Sequence, residues 1–121
     1  MNKFELIKRD NIIKKMVSNS RAILTKQVDF VEGCFKMKVL IGNVTYIKPI
    51  DNIDLEIFSV FYHKMAFYPV GDEKEEYNKE FLEKLNLKIQ LILDEFEKPI
   101  LDKCEEIIKN SIFFKVNEQY L

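Results

Sequence analysis

His63, Cys34 and Cys104 are the side chains of this 121-residue sequence with the readiest acid–base or nucleophilic chemistry. A histidine base needs a nucleophile or an orienting acid within hydrogen-bond reach. His63, the only histidine, stands between Tyr62 and Lys64 near a predicted helix end, and reads as a surface or capping residue. Metal sites built on several histidines are excluded. The two cysteines form no CxxC and lie on apolar stripes, so they read as reduced, structural thiols, small hydrophobes in a reducing cytoplasm. Carboxylates are plentiful, in runs such as Asp72, Glu73, Glu75 and Glu76, and Asp94, Glu95 and Glu97. No Glu-x-x-His occurs, as a di-metal bundle requires, and no alternating-acid calcium loop is present. These acids read as solvated helix faces, many spaced i,i+4 from lysines. Gly33, Gly42 and Gly71 are scattered singly and cannot build a phosphate loop. The expectation is a protein that is not an enzyme, with no catalytic residue, bound metal or cofactor.

The elements that would carry these residues are helical. Ile13, Val17, Ser20, Leu24, Val28, Val31 and Phe35 step by threes and fours along one helical face. A second stripe, Ile23, Phe30, Cys34, Met37 and Ile41, lies about 100° further round. Ser18-Asn19-Ser20 offers a break, yet the stripe passes through it, so residues 10–42 are one helix or two. Gly33, in mid-helix, points to a close helix–helix approach. Gly42-Asn43 reads as a helix stop, and Val44–Ile47 as an extended stretch before Pro49. Asp51 or Asn52 would cap a third helix with Ile53, Ile57, Val60, Phe61 and Met65 inward. Tyr68-Pro69-Val70-Gly71 ends it, and Asp72 with Glu75 resembles a capping box that opens another. A last stripe runs from Leu82 through Leu85, Ile89, Ile92, Phe96, Ile100 and Cys104 to Ile107. Asn86 is a candidate cap within it, Pro99 a kink and Asn110 its end. The predicted architecture is all-α: a single domain over 1–121, a bundle of about five helices, with an apolar tail, 111–121, docking back. Leu24, Val28, Val31, Phe35, Ile89, Ile92 and Phe96 form its predicted core.

Composition agrees with that class. Three glycines and three prolines are too few for a many-turned β fold, and 47% hydrophobic with 32% charged residues suits a globular core. No stretch approaches the ~18 apolar residues of a membrane span, and no signal-peptide core fits the first residues. A cytoplasmic protein that does not engage membrane is expected. Residues 1–50 hold ten Lys/Arg against four acids, net +6, and 51–121 hold nine lysines against sixteen acids, net −7. Such a split either neutralises itself when the halves pack or marks faces aimed at charged partners. The aromatic group Phe58, Phe61, Tyr62, Phe67 and Tyr68 reads mostly as core, with Tyr62 and Tyr68 as amphipathic anchors for a partner.

Four stretches together resemble a known family: Val31-Glu32-Gly33-Cys34-Phe35-Lys36, Tyr68-Pro69-Val70-Gly71, Tyr77–Leu85 and Ile100–Ile108. In this order they are similar to small all-helical bacterial proteins of largely unassigned function that include immunity proteins of contact-dependent or polymorphic toxins. Where that family places acids before the Pro-x-Gly turn, this chain has His63-Lys64-Met65-Ala66. The resemblance implies an immunity-type protein that neutralises a cognate toxin domain, such as a nuclease, by stoichiometric binding. The expected partner-binding residues are Tyr62, Tyr68, Asp72, Glu73, Glu75 and Glu76, since an acidic surface suits a basic nuclease cleft. The alternative is a small nucleic-acid-binding or regulatory module using the basic N-terminal half. The scattered lysines and the acidic remainder weigh against nucleic acid, and nothing announces a small-molecule site.

Overall fold

The computed structural model describes residues 1–68 and 77–115. Helix α1, Lys3–Leu24, opens with a capping box: Asn2 Oδ1 accepts from the Glu5 backbone N–H at 2.8 Å, and the Glu5 carboxylate accepts from the Asn2 N–H. Leu6, Ile13, Met16 and Ile23 form its buried stripe. The helix ends beyond the Ser18–Ser20 candidate break, at Thr25. There the Lys26 N–H bonds the Ile23 carbonyl and the Gln27 N–H bonds the Ala22 carbonyl. This is a Schellman stop, with Lys26 at φ 59° in the position that usually takes glycine. Asp29 then caps α2, Phe30–Ile47, accepting from the Glu32 N–H at 3.1 Å. Residues 10–42 are thus two helices, parted at 25–29.

Helix α2 runs through Gly42-Asn43, which do not stop it, and the stretch expected to be extended, 44–47, is its last turn. Burial of Val44 against the core outweighs the weak helix propensity of its neighbours. The stop comes from Pro49, which holds Lys48 in an extended conformation (φ −162°, ψ 123°). Helix α3, Glu56–Met65, starts later than expected: Asp54 accepts from the Glu56 N–H, and Asp51 and Asn52 are not its caps. Phe58, Phe61 and Met65 are buried, whereas Val60 faces outward. Helix α4, Lys79–Asn110, is capped by Asn78 and continues through both Asn86 and Pro99. A 3-10 turn, Ser111–Phe114, follows, with Phe114 buried and Ile112 and Phe113 exposed. The expected helix at Asp72 and the tail beyond 115 lie outside the described residues. Among the described residues there are four α-helices and no strand, so the all-α class holds with four helices in place of five.

Each helix packs on its neighbours in chain order, and α4 closes the ring against α1. Phe61 sits in an aromatic cluster, with ring centroids 5.6 Å from both Phe30 and Phe96. Ile89 and Phe96 are in the core as expected, but Leu24, Val28, Val31, Phe35 and Ile92 are only half-buried around it. On α2 the deeper residues are Cys34 and Met37 of the second stripe, whereas on α1 the first stripe's Ile13 and Ser20 are buried along with Ile23. The buried face of α2 therefore lies on the second stripe, and that of α1 takes residues from both. Gly33 has the role expected of it. A Cβ there would stand 2.6 Å from Ile23 Cγ1 and 3.0 Å from Val28 Cγ2, so α1 and α2 approach over bare backbone. Asn19 Nδ2 donates to the Gly33 carbonyl at 2.9 Å at the same crossing.

Arg9 is the unexpected member of the interior, only 2% exposed. Its guanidinium donates to the backbone carbonyls of Lys48 (2.9 Å), Pro49 (3.3 Å) and Phe114. Loss of water lowers its pKa, while Asp10 and Asp51 pull it back up. One side chain of α1 thus gathers the end of α2 and the final turn, using the fork of donors that lysine lacks.

Candidate partner-binding surfaces

Two of the expected contact residues are already engaged within the fold. Tyr62 is half-buried, its ring edge-on to Phe35 at 5.2 Å, and Lys38 Nζ lies 3.9 Å over its face. Tyr68 is half-buried against the core. The acids expected beside them, Asp72, Glu73, Glu75 and Glu76, lie outside the described residues. His63 is exposed, and its Nδ1 lies 2.7 Å from the Ser59 carbonyl oxygen. A carbonyl only accepts, so Nδ1 carries the proton and bonds back onto its own helix. The Ser59 hydroxyl, 3.5 Å from the same nitrogen, is not set against a free base.

Both cysteines are buried and free. Burial, then the nearby Cys104 and Asp29, push the Cys34 thiol well above its ordinary range. Burial pushes Cys104 up to about 11, with Ser20 working against the shift and Glu105 adding to it. Neither thiol has the cationic, open setting that makes a cysteine reactive. Among the described residues, no group of three or more His, Cys, Asp or Glu side chains is placed to hold a metal ion.

The sequence gives the charges but not where they are spent. The expected i,i+4 ion pairs do not form among the described residues. Among the described residues, the ion pairs are Lys64–Glu95 at 3.5 Å and Lys103–Glu106 at 2.8 Å. Both lie inside the acidic part of the chain. None joins the basic first fifty residues to the described part of the remainder, although Arg9 lies within the field of Asp51.

A groove of about 520 Å³ lies at the end of the hairpin where α1 begins and α2 ends. Ile12, Leu40 and Ile47 floor it; Phe4, Ile7 and Tyr46 rim it. Phe4 is 85% exposed and Tyr46 93%. Its charged lining residues are Lys8 and Lys15, with Asn11 and Asn43 between the helices. Sequence reasoning missed this surface because it placed Tyr46 in an extended segment. The available signal was a second apolar face on α1, Phe4 and Ile7, offset from the buried stripe through Leu6.

The family described as a protein of unknown function (DUF2489) matches over residues 2–107. The chain belongs to that family. The DUF2489 match takes in the whole groove, both cysteines and the Arg9 side of the latch, and stops before its partner Phe114. No curated protein and no solved structure matches the chain. No helix among the described residues is long and apolar enough to cross a membrane.

Proposed function

We propose that this protein is an immunity-type binding protein that neutralises a cognate bacterial toxin by direct, stoichiometric binding. The observation that carries the reading is the division of charge: residues 1–50 are net +6 and 51–121 net −7, and the ion pairs among the described residues lie within the second part. A segment of one sign steers a partner of the opposite sign. A nuclease toxin presents a basic cleft, and the segment Asp72, Glu73, Glu75 and Glu76 has the charge suited to meet it. Cytoplasmic action and the resemblance to small helical immunity proteins belong to the same reading.

The test is co-expression with the toxin domain encoded beside this chain. The parent is expected to preserve host survival, and the triple variant Glu73→Lys, Glu75→Lys, Glu76→Lys to lose protection while melting like the parent. Equal survival with both moves the interface elsewhere. Death with the parent discards the immunity reading. A second reading, a nucleic-acid-binding or regulatory module, is favoured by one observation: Lys8 and Lys15 line a groove rimmed by the exposed rings of Phe4 and Tyr46. Retarded migration of labelled RNA or DNA, relieved by salt, would select it.

A further inference from the structure

We propose that the α1/α2 groove is a docking site for an acidic amphipathic helix of a partner protein. The groove shares no residue with the acidic segment of the proposed function, and the inference stands without that reading. Three observations concern the groove itself, and one concerns the face of α2 beside it. The floor is aliphatic, through Ile12, Leu40 and Ile47, which suits leucine-like anchors better than stacked bases. The α1 wall runs from Phe4 to Lys15, about 16 Å at 1.5 Å per residue, the length of three helical turns.

The third observation is glycine at position 42. A mid-helix glycine costs up to ~1 kcal/mol against alanine, and at Gly42 a Cβ would meet nothing within 4 Å. Nothing in the described chain therefore requires it. It stands between Val39, 58% exposed, and Tyr46 at i, i+3 and i+7, an outward stripe with a bare centre that borders the groove and meets it at Tyr46. A second helix could approach as closely there as α1 approaches Gly33.

The fourth is charge. The charged side chains lining the groove are both cationic, Lys8 and Lys15, so a visiting helix with acids flanking its apolar stripe is complementary. A second copy fits less well. Groove against groove sets lysine against lysine. The outward Leu87 and Leu91 of α4 have Lys84 and Lys88 on neighbouring helical positions, so that stripe is not uniformly acidic.

The experiment uses the full chain and a fluorescently labelled synthetic helix with leucines at i, i+3 and i+7 flanked by glutamates. Its controls are the same peptide with lysines for glutamates, and a labelled single-stranded oligonucleotide. Anisotropy should show binding of the acidic peptide that weakens with salt and exceeds that of the lysine peptide at least tenfold. In the variant Lys8→Glu, Lys15→Glu the preference should invert, a readout that a merely destabilised fold would not give. Gly42→Leu should weaken binding of the acidic peptide while the protein melts no lower than the parent. Absence of binding by the acidic peptide, equal binding of both peptides, tighter binding of the oligonucleotide, or a groove closed by self-association in sedimentation would each overturn the proposal.

Discussion

The two ends of the α1–α2 hairpin are built on opposite plans. At the turn end, Gly33 lets Ile23 and Val28 close over backbone, and Asn19 spends its amide on the Gly33 carbonyl. At the open end, a Cβ at Gly42 would meet nothing within 4 Å, and Phe4 and Tyr46 are 85% and 93% exposed. The same residue type therefore has an internal cause at one end and none at the other. The open end also lacks the apolar closure of the turn end, and is held from behind by the polar latch of Arg9. A hairpin that packs one end on both sides and leaves the outer side of the other exposed presents an apolar surface to solvent.

The strongest way to break this comparison is to remove the latch. Arg9→Met leaves the Phe114 carbonyl buried and unpaired and frees the end of α2, at a cost of about 3 kcal/mol or more, because hydrogen bonds to a charged donor are worth ~1.5–3 kcal/mol each. Urea denaturation followed by circular dichroism measures it, and an unchanged midpoint would show that the open end is held by other means. Gly33→Ala comes next. Its Cβ would stand 2.6 Å from Ile23 Cγ1, and overpacking of about 1–3 kcal/mol should exceed the helix-propensity gain. A melting temperature at or above the parent's would deny the tight crossing.

How much of this contrast could be read from residues alone varies with the physical signal. Apolar periodicity revealed helices because both arms of the hairpin face one core, and for the same reason it hid the break between them: Val28, in the connection, still packs on that core. The stop is made by Lys26 at positive φ and a capping Asp29, and lysine carries no left-handed signature. Gly42-Asn43 reads as punctuation because glycine usually is, yet burial of Val44 carries the helix past it to Pro49. Arg9 reads as one more surface base. Its place on the stripe Leu6, Arg9, Ile13, Met16 was the signal, since an arginine there must go inward or interrupt the face. The candidate site was the less legible part. Tyr62 and Tyr68 are largely committed to the fold, and the groove depends on how two helices diverge, which no single stripe encodes.

A third expected outcome is alkaline. The Cys104 thiol is held near 11 by burial against an ordinary 9, so the folded state favours its neutral form. That stabilisation is complete below pH 9, declines as pH rises from 9 to about 11, and extends to still higher pH for Cys34. Cys104→Ser should flatten the loss of stability over that window, and equal slopes would place the loss on other groups. The smallest effect sharpens the comparison from the other side. Gly42→Ala should raise stability by up to ~1 kcal/mol, the opposite sign to Gly33→Ala, measured in the same denaturation series. A drop would reveal an internal contact at the open end.

The latch also sets a schedule. Arg9 and Phe114 are 105 positions apart in the chain. At ~5–20 residues per second, α1 is made roughly 5–20 s before the carbonyl that completes its guanidinium's set of partners. Through that interval Arg9 can reach only Lys48 and Pro49, which arrive with the end of α2. The hairpin is thus the first unit that synthesis makes available for folding, and every residue lining the groove is made before α4. Packing of α4 on α1 closes the ring, and the last turn then delivers Phe114 to complete the set of partners around Arg9.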